Sequence, residues 1–161
     1  MQTFLTDLLD RMERLLIRQY KNVDINLRAG KAPHHAKTAL QDYFSGHLSA
    51  LDKLQTVSGG TGFQQSVWEA LRDIPVGETR SYRDVAIAIG NPKGVRAIGL
   101  ANGANPIGIV VPCHRVIGVN GKMTGYGGGL HRKEWLLRHE GALSGDLVQK
   151  DFNSLLHPVL K

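Results

Sequence analysis

Cysteine is almost absent from this sequence, because Cys113 is the single thiol in 161 residues. A lone thiol has no partner for an intrachain disulfide and cannot build a cysteine-rich zinc site. The seven histidines are scattered along the chain, which disfavours an all-histidine metal site. An unpaired thiol stays reduced inside cells. We therefore expect a cytoplasmic protein without a disulfide.

Long hydrophobic stretches are absent as well. The longest nearly unbroken apolar run covers only residues 107–112, whereas a bilayer needs roughly 20. The N-terminal stretch reads MQTFLTDLLDRMERLL, which mixes acidic with apolar residues and has no cleavage site of small residues, unlike a signal peptide. These patterns predict a soluble protein with no membrane partner.

Acidic residues are outnumbered, with 14 Asp plus Glu against 20 Lys plus Arg and a net charge of +6. Such a balance favours a polyanionic partner, nucleic acid above all, although many basic proteins bind nothing acidic. The composition, 42% hydrophobic and 21% charged, is ordinary for a globular protein and excludes wholesale disorder. The length fits one domain or two small lobes.

Glycine and serine mark the clearest linker, residues 58–62. We therefore divide the chain into an N-terminal lobe (1–58), a C-terminal domain (59–143) and a tail (144–161). Apolar spacing predicts helices over residues 5–16, 36–44 and 130–140, and a short extended piece at 25–27.

A helix-turn-helix outline lies in the C-terminal domain. Thr61 is placed to cap one helix, and Ser81 with Asp84 forms a capping-box pattern at the next. That second helix ends at Gly90, and a tight turn leads to another helical stretch over residues 95–104.

The stretch over residues 95–104 is built mostly from alanine and glycine, with Arg96 and Asn102 as exceptions. Major-groove readers need long polar side chains. The small residues therefore indicate either close, sequence-tolerant contact with the DNA minor groove or close packing against another helix.

Cys113 lies between an apolar run, predicted to be a buried extended segment over residues 107–111, and a glycine-rich loop over residues 118–129. It is either a small buried hydrophobe or a reactive thiol. His114 and Arg115 favour the second interpretation, because a positive neighbour stabilises a thiolate. Adjacent residues of a strand point to opposite faces, so a water would have to link His114 to the thiol. Glu140 is either the group that orients His114 or a solvated charge at a helix end.

Five motifs together resemble the O6-alkylguanine-DNA alkyltransferases, the methylated-DNA–protein-cysteine methyltransferases. They occur in family order between about residues 60 and 143, and read FQQSVWEAL, IPVGETRSY, RAIGLANGANP, PCHRVI followed by GYGGG, and RKEWLLRHEG. The resemblance implies DNA repair by direct reversal, in which Cys113 takes the alkyl group from O6 of a flipped guanine, and from O4 of alkylated thymine. The transfer is irreversible, so each molecule acts once, and no metal or organic cofactor is needed.

The resemblance also assigns roles to residues. His114 would act through water as the base for Cys113, Glu140 would polarise His114, and Asn105 would brace the turn before the active site. Tyr82 would rotate the target phosphate and donate to the base. Val116 and Tyr126 would help form the guanine pocket, and the loop backbone around Tyr126 and Gly127 would contact O6. Position 127 carries a serine in some relatives, so a hydroxyl contact to O6 is missing here.

For DNA, the resemblance implies a monomer that binds the minor groove of double-stranded DNA containing O6-alkylguanine, with little sequence preference. Arg96 would replace the flipped nucleotide in the base stack. The remaining DNA contacts implied are Gln64, Arg83, Asn91, Ala97 and Ala101.

The implied fold is α+β, with a small N-terminal α/β lobe and a mainly helical C-terminal lobe that carries a winged-helix-like helix-turn-helix. Relatives begin with a strand hairpin before the segment that aligns with Met1, so we expect an incomplete N-terminal sheet. The sequence leaves open a non-catalytic module that only binds DNA lesions, although such proteins lack the cysteine. A thiol hydrolase is a third class, but no oxyanion hole can be assigned to it.

Overall fold

The computed structural model describes residues 2–21, 24 and 33–144, with residues 2–9 as helical backbone only. The helices are α1 (Gln2–Gln19), α2 (His34–Phe44), α3 (Gly62–Arg72), α4 (Tyr82–Ala88), α5 (Val95–Gly103) and α6 (Leu130–His139). The strands are β1 (Arg80–Ser81) and β2 (Val116–Ile117), and single turns of 3-10 helix cover Leu48–Leu51 and Cys113–Arg115. None of these helices is long and apolar enough to cross a membrane.

The fold is mixed and mostly helical, which confirms the α+β class. The strands of the described residues belong to the C-terminal domain, where β1 and β2 pair in parallel with Arg80 opposite Val116 and Ser81 opposite Ile117. The extended piece predicted at residues 25–27 lies outside the described residues, as does nearly all of the tail. The α/β character of the N-terminal lobe and the lobe boundaries therefore stay predictions.

Local capping signals define two helices of the C-terminal domain. The Thr61 hydroxyl accepts a hydrogen bond from the Gln64 backbone N–H, and the Gln64 side chain accepts one from the Thr61 N–H. Ser81 and Asp84 form the same reciprocal pair at α4. Each pair satisfies two of the backbone donors that a helix start leaves open, and both capping predictions are confirmed.

The two helices of the predicted helix-turn-helix, α4 and α5, are joined by a tight turn in which the Gly94 N–H donates to the Asn91 carbonyl at 2.9 Å. The turn begins after Gly90, whose φ of 72° lies in the left-handed region that glycine adopts without strain. On its inner side, α5 packs against α3, and the Trp68 indole N–H donates to the Ala101 carbonyl at 2.9 Å. This packing leaves Arg96, in the first turn of α5, exposed.

The extended segment predicted over residues 107–111 is wrong, because this stretch folds into turns. The Asn105 side chain donates from Nδ2 to the Val111 carbonyl at 2.8 Å and accepts from the Ile107 N–H at 3.0 Å. Ile109 consequently adopts a φ of 75°, a costly conformation for a β-branched residue. A buried amide side chain thus overrides the strand preference of the run.

Two apolar clusters hold these elements together. The larger joins α3, α4 and α5 around Val67, Trp68 and Ile98, and it includes Cys113. The smaller joins the N-terminal lobe to α6 through Tyr43, Leu51 and Leu136. Cys113 belongs to the larger cluster, and Tyr126 packs against both clusters.

Candidate active site

Cys113 opens the 3-10 turn that precedes β2, so the prediction that it ends an extended strand is corrected. Its side chain is buried, with 7% of its surface exposed. Burial raises the pKa of the thiol, while a hydrogen bond with the Asn105 side chain and the charges of Lys133 and Arg11 act in the opposite direction. Formation of the thiolate therefore needs a base in addition to these stabilising groups.

His114 is fully buried and paired with the carboxylate that follows α6. Its Nε2 lies 3.1 Å from Glu140 Oε1. Burial lowers the pKa of His114, although the hydrogen bond to Glu140 opposes that effect. Because a carboxylate only accepts, Nε2 carries the proton in the neutral ring and Nδ1 is the basic nitrogen. Nδ1 has no hydrogen-bond partner among the described residues.

Glu140 receives hydrogen bonds from three side chains, so it is a buried acceptor rather than a solvated helix-end charge. Arg115 donates to both oxygens, from Nε to Oε2 at 2.8 Å and from Nη2 to Oε1 at 2.9 Å. The Tyr43 hydroxyl donates to Oε1 at 2.7 Å. Burial alone would raise the pKa of Glu140, but the hydrogen bonds from His114, Arg115 and Tyr43 lower it to about 2.

Two members of this network were not assigned from the sequence. Arg115 was considered as a neighbour that stabilises the thiolate, but its guanidinium points to Glu140 and to the Ile74 carbonyl, which accepts from Nη1 at 2.6 Å. Tyr43 belongs to α2, and no local signal in the N-terminal lobe indicates that its hydroxyl reaches the active site. Only the packing of α2 on α6 brings it there.

Lys133 was also missed, although it lies inside the RKEWLLRHEG motif. It is fully buried on α6, and its Nζ donates to the carbonyls of Val116 at 2.6 Å and Thr124 at 2.9 Å. Burial lowers its pKa to about 8, and the nearby Cys113 opposes the shift. Lys133 thus fixes the glycine-rich loop to β2 and places a positive charge near the thiol.

A cavity of about 480 Å³ opens beside Cys113. Four residues predicted for the site line it: Asn105, Cys113, Tyr126 and Gly127. Val116 does not, because its side chain is fully buried in the larger cluster, and its part in the guanine pocket stays a prediction. Tyr82, which is half-buried, also lies outside the lining, and its hydroxyl accepts a hydrogen bond from Thr124 Oγ1 at 3.3 Å.

The six predicted DNA contacts differ in how exposed their side chains are. Arg83, Asn91 and Arg96 are exposed around α4 and α5, and Ala97 is half-buried. Ala101 is only 3% exposed and belongs to the larger cluster, so its prediction as a DNA contact is wrong. The Gln64 side chain is engaged in the cap of α3. In the described part of the chain, no three histidine, cysteine or acidic residues are grouped to hold a metal ion.

The chain is similar to known proteins over most of its length. Residues 62–142 match the family model of the 6-O-methylguanine DNA methyltransferase DNA-binding domain. The methylated-DNA–protein-cysteine methyltransferase of Salmonella typhimurium is 54% identical over 134 residues, which are 83% of this chain and 78% of the relative. That of Methanosarcina acetivorans is 57% identical over 107 residues, covering 66% of this chain and 68% of the relative.

Solved structures give the same result. Mycobacterium tuberculosis OGT in complex with DNA matches with a TM-score of 0.58 and 52% identity, covering 67% of this chain and 66% of that one. The O6-methylguanine-DNA methyltransferase of Pyrococcus kodakaraensis matches with a TM-score of 0.64 and 29% identity, covering 87% and 78%. The chain therefore belongs to the O6-methylguanine-DNA methyltransferase family, a DNA-binding family that repairs DNA by moving an alkyl group onto a protein cysteine.

Proposed function

We propose that this protein moves the alkyl group from O6 of guanine in double-stranded DNA to Cys113, once per molecule. The observation that carries the proposal is that the chain's single cysteine lies beside a cavity and directly precedes His114, which forms a buried base–carboxylate pair with Glu140. A thioether is not reversed by thiol exchange, so the transfer consumes the protein.

Activation of the thiol follows from the tautomer of His114. A water between the thiol and Nδ1 would carry the proton from Cys113 to the ring. Glu140 then stabilises the imidazolium through Nε2, while Arg115 and Tyr43 hold the carboxylate in place. Buried groups already held in position need little rearrangement during the reaction.

The DNA part of the proposal rests on α4 and α5. Arg96 and Arg83 supply exposed positive charge around these helices. We place the short side chains of α5 in the minor groove, with Arg96 filling the gap left by the flipped base. Such a contact distinguishes little between base sequences. Because the proposed site is built from one chain, we propose that the protein acts as a monomer. We also propose that it is cytoplasmic and that it accepts O4-alkylthymine as a second substrate.

The test incubates the protein with a duplex containing one O6-methylguanine, followed by mass spectrometry of the peptide that holds Cys113. We expect a gain of one methyl group in the wild type and none in Cys113→Ser. Duplexes with O4-methylthymine test the second substrate in the same assay. Tight binding of the damaged duplex without any gain in mass would favour a lesion-binding module and contradict repair.

A further inference from the structure

Arg11, on α1, reaches the cavity of Cys113 from the N-terminal lobe. Its guanidinium donates from Nη2 to the Gly103 carbonyl at 2.8 Å and lines the cavity together with Cys113 and Tyr126. It lies so close to Gly127 that a Cβ at that position would overlap the guanidinium carbon and both terminal nitrogens. The arginine head therefore occupies the space that a side chain at position 127 would fill.

The charge of Arg11 acts on the groups around the cavity. Burial raises the pKa of both Cys113 and Tyr126, and Arg11 lowers both. Among the described residues, the guanidinium has Gly103 as its only hydrogen-bond acceptor. Arginine carries five N–H groups in a planar fork, so donors remain for a ligand in the cavity.

The chemistry of the transfer favours such a donor. The bond from sulfur to the alkyl carbon forms as the bond from that carbon to O6 breaks, and the electron pair passes to the purine. The purine then takes up a proton, which balances the one that the thiol gave up. Negative charge therefore develops on O6 and on N1, and O6 shares an edge with N7, the edge that an arginine fork recognises.

We propose that Arg11 contacts the substrate, with its guanidinium donating to N7 and O6 of the flipped guanine and stabilising the purine as the alkyl group leaves. The proposal rests on Cys113 being the alkyl acceptor. In O6-alkylguanine the oxygen is an ether, whereas after transfer it is a full acceptor. The contact is therefore stronger in the transition state than in the bound substrate, which is the condition for rate acceleration.

The experiment measures transfer from free O6-benzylguanine to Cys113 across a pH series, using wild type and Arg11→Ala. Free base needs no flipping and no contact with the DNA backbone, so the rate reports the cavity alone. We expect Arg11→Ala to lower the rate on the high-pH plateau, where the thiol is fully ionised, by on the order of tenfold or more. Arg14→Ala is the matched control, because Arg14 is exposed on the same helix, and we expect it to leave the rate unchanged.

Two further measurements separate contact with the purine from an effect on the thiol. Iodoacetamide alkylates Cys113 without a purine, and its plateau rate should be nearly the same in wild type and Arg11→Ala. The 7-deaza analogue of O6-benzylguanine lacks the N7 acceptor, so it should react more slowly than the parent with wild type and as fast as the parent with Arg11→Ala. If Arg11→Ala unfolds at a lower temperature than the wild type, it is replaced in these measurements by Arg11→Met, which keeps the apolar stem.

Equal losses with iodoacetamide and O6-benzylguanine would overturn the proposal, because Arg11 would then act on the thiol alone. A faster Arg11→Ala would overturn it too, since the side chain would then block the cavity. The failure of wild-type protein to react with O6-benzylguanine, or with a methylated duplex, would instead count against Cys113 as acceptor.

Discussion

Glu140 shows how one carboxylate can connect distant parts of a chain. Its Oε1 accepts hydrogen bonds from Tyr43 of α2, from His114 and from Arg115, and its Oε2 accepts one from Arg115. The carboxylate stays ionised because these donors outweigh the cost of burial. The pKa of Glu140, which accepts a hydrogen bond from His114, therefore depends on a hydroxyl from the N-terminal lobe.

Tyr43→Phe tests this dependence. The variant keeps the buried ring and loses the hydrogen bond to a charged acceptor, so we expect the free energy of unfolding to fall by about 1.5–3 kcal/mol. The pKa of Glu140 should rise, since one of the bonds that lower it is lost. The acid limb of the transfer rate should then move to higher pH.

Tyr20→Phe is the control for Tyr43→Phe, because the Tyr20 hydroxyl has no hydrogen bond with any described residue and its half-buried ring packs near the linker. A Tyr43→Phe pH profile that coincides with that of wild type, measured by transfer from O6-benzylguanine, would mean that the hydroxyl has only a structural role.

At the scale of elements, the proposed contact with DNA rests on α5. Arg96 is exposed in its first turn, whereas the thiol and its base lie on a different turn of the chain. We expect Arg96→Ala to slow transfer from a methylated duplex by on the order of tenfold or more, because an unstacked base has to be held outside the helix. Transfer from free O6-benzylguanine should be unchanged.

Arg80→Ala is a suitable control for Arg96→Ala, since Arg80 pairs with Glu78 at an exposed position on β1, before α4. Parallel single-turnover rates on duplex and free base give the comparison. Equal losses of Arg96→Ala on both substrates would contradict the role in base flipping.

The elements also show which features can be predicted from sequence. Thr61 and Ser81 cap their helices through partners three residues away, so local pattern was sufficient. The stretch 107–111 was wrongly predicted as extended, because its path is determined by the Asn105 side chain rather than by β-branched content. The positions of Tyr43 and Arg11 depend on how the N-terminal helices pack, which no short motif records.

At the scale of the whole molecule, the buried site predicts sensitivity to acid. The folded pKa of Glu140 is about 2, against an ordinary value of 4.5, so its stabilisation is complete above pH 4.5 and is lost as pH falls towards 2. This difference corresponds to about 3 kcal/mol. Burial also lowers the pKa of His114, so protonation of the unfolded chain below its ordinary pKa of 6.5 adds to the loss.

Thermal unfolding followed by circular dichroism between pH 7 and pH 3 measures this effect. We expect the melting temperature to fall steadily over the range in wild type and less steeply in Glu140→Gln, which is less stable at neutral pH because Arg115 loses its charged partner. Parallel curves for the two proteins would show that Glu140 does not contribute to the acid response.

The hydrogen bond between Tyr43 and Glu140 constrains how the chain can evolve. A substitution at either position leaves a polar group of the other without its buried partner. An unrelated N-terminal lobe can therefore replace this one only if it supplies a hydrogen-bond donor at the position of the Tyr43 hydroxyl. This coupling predicts that natural relatives with a carboxylate at position 140 keep a hydrogen-bond donor at position 43, even though the two positions are distant in sequence.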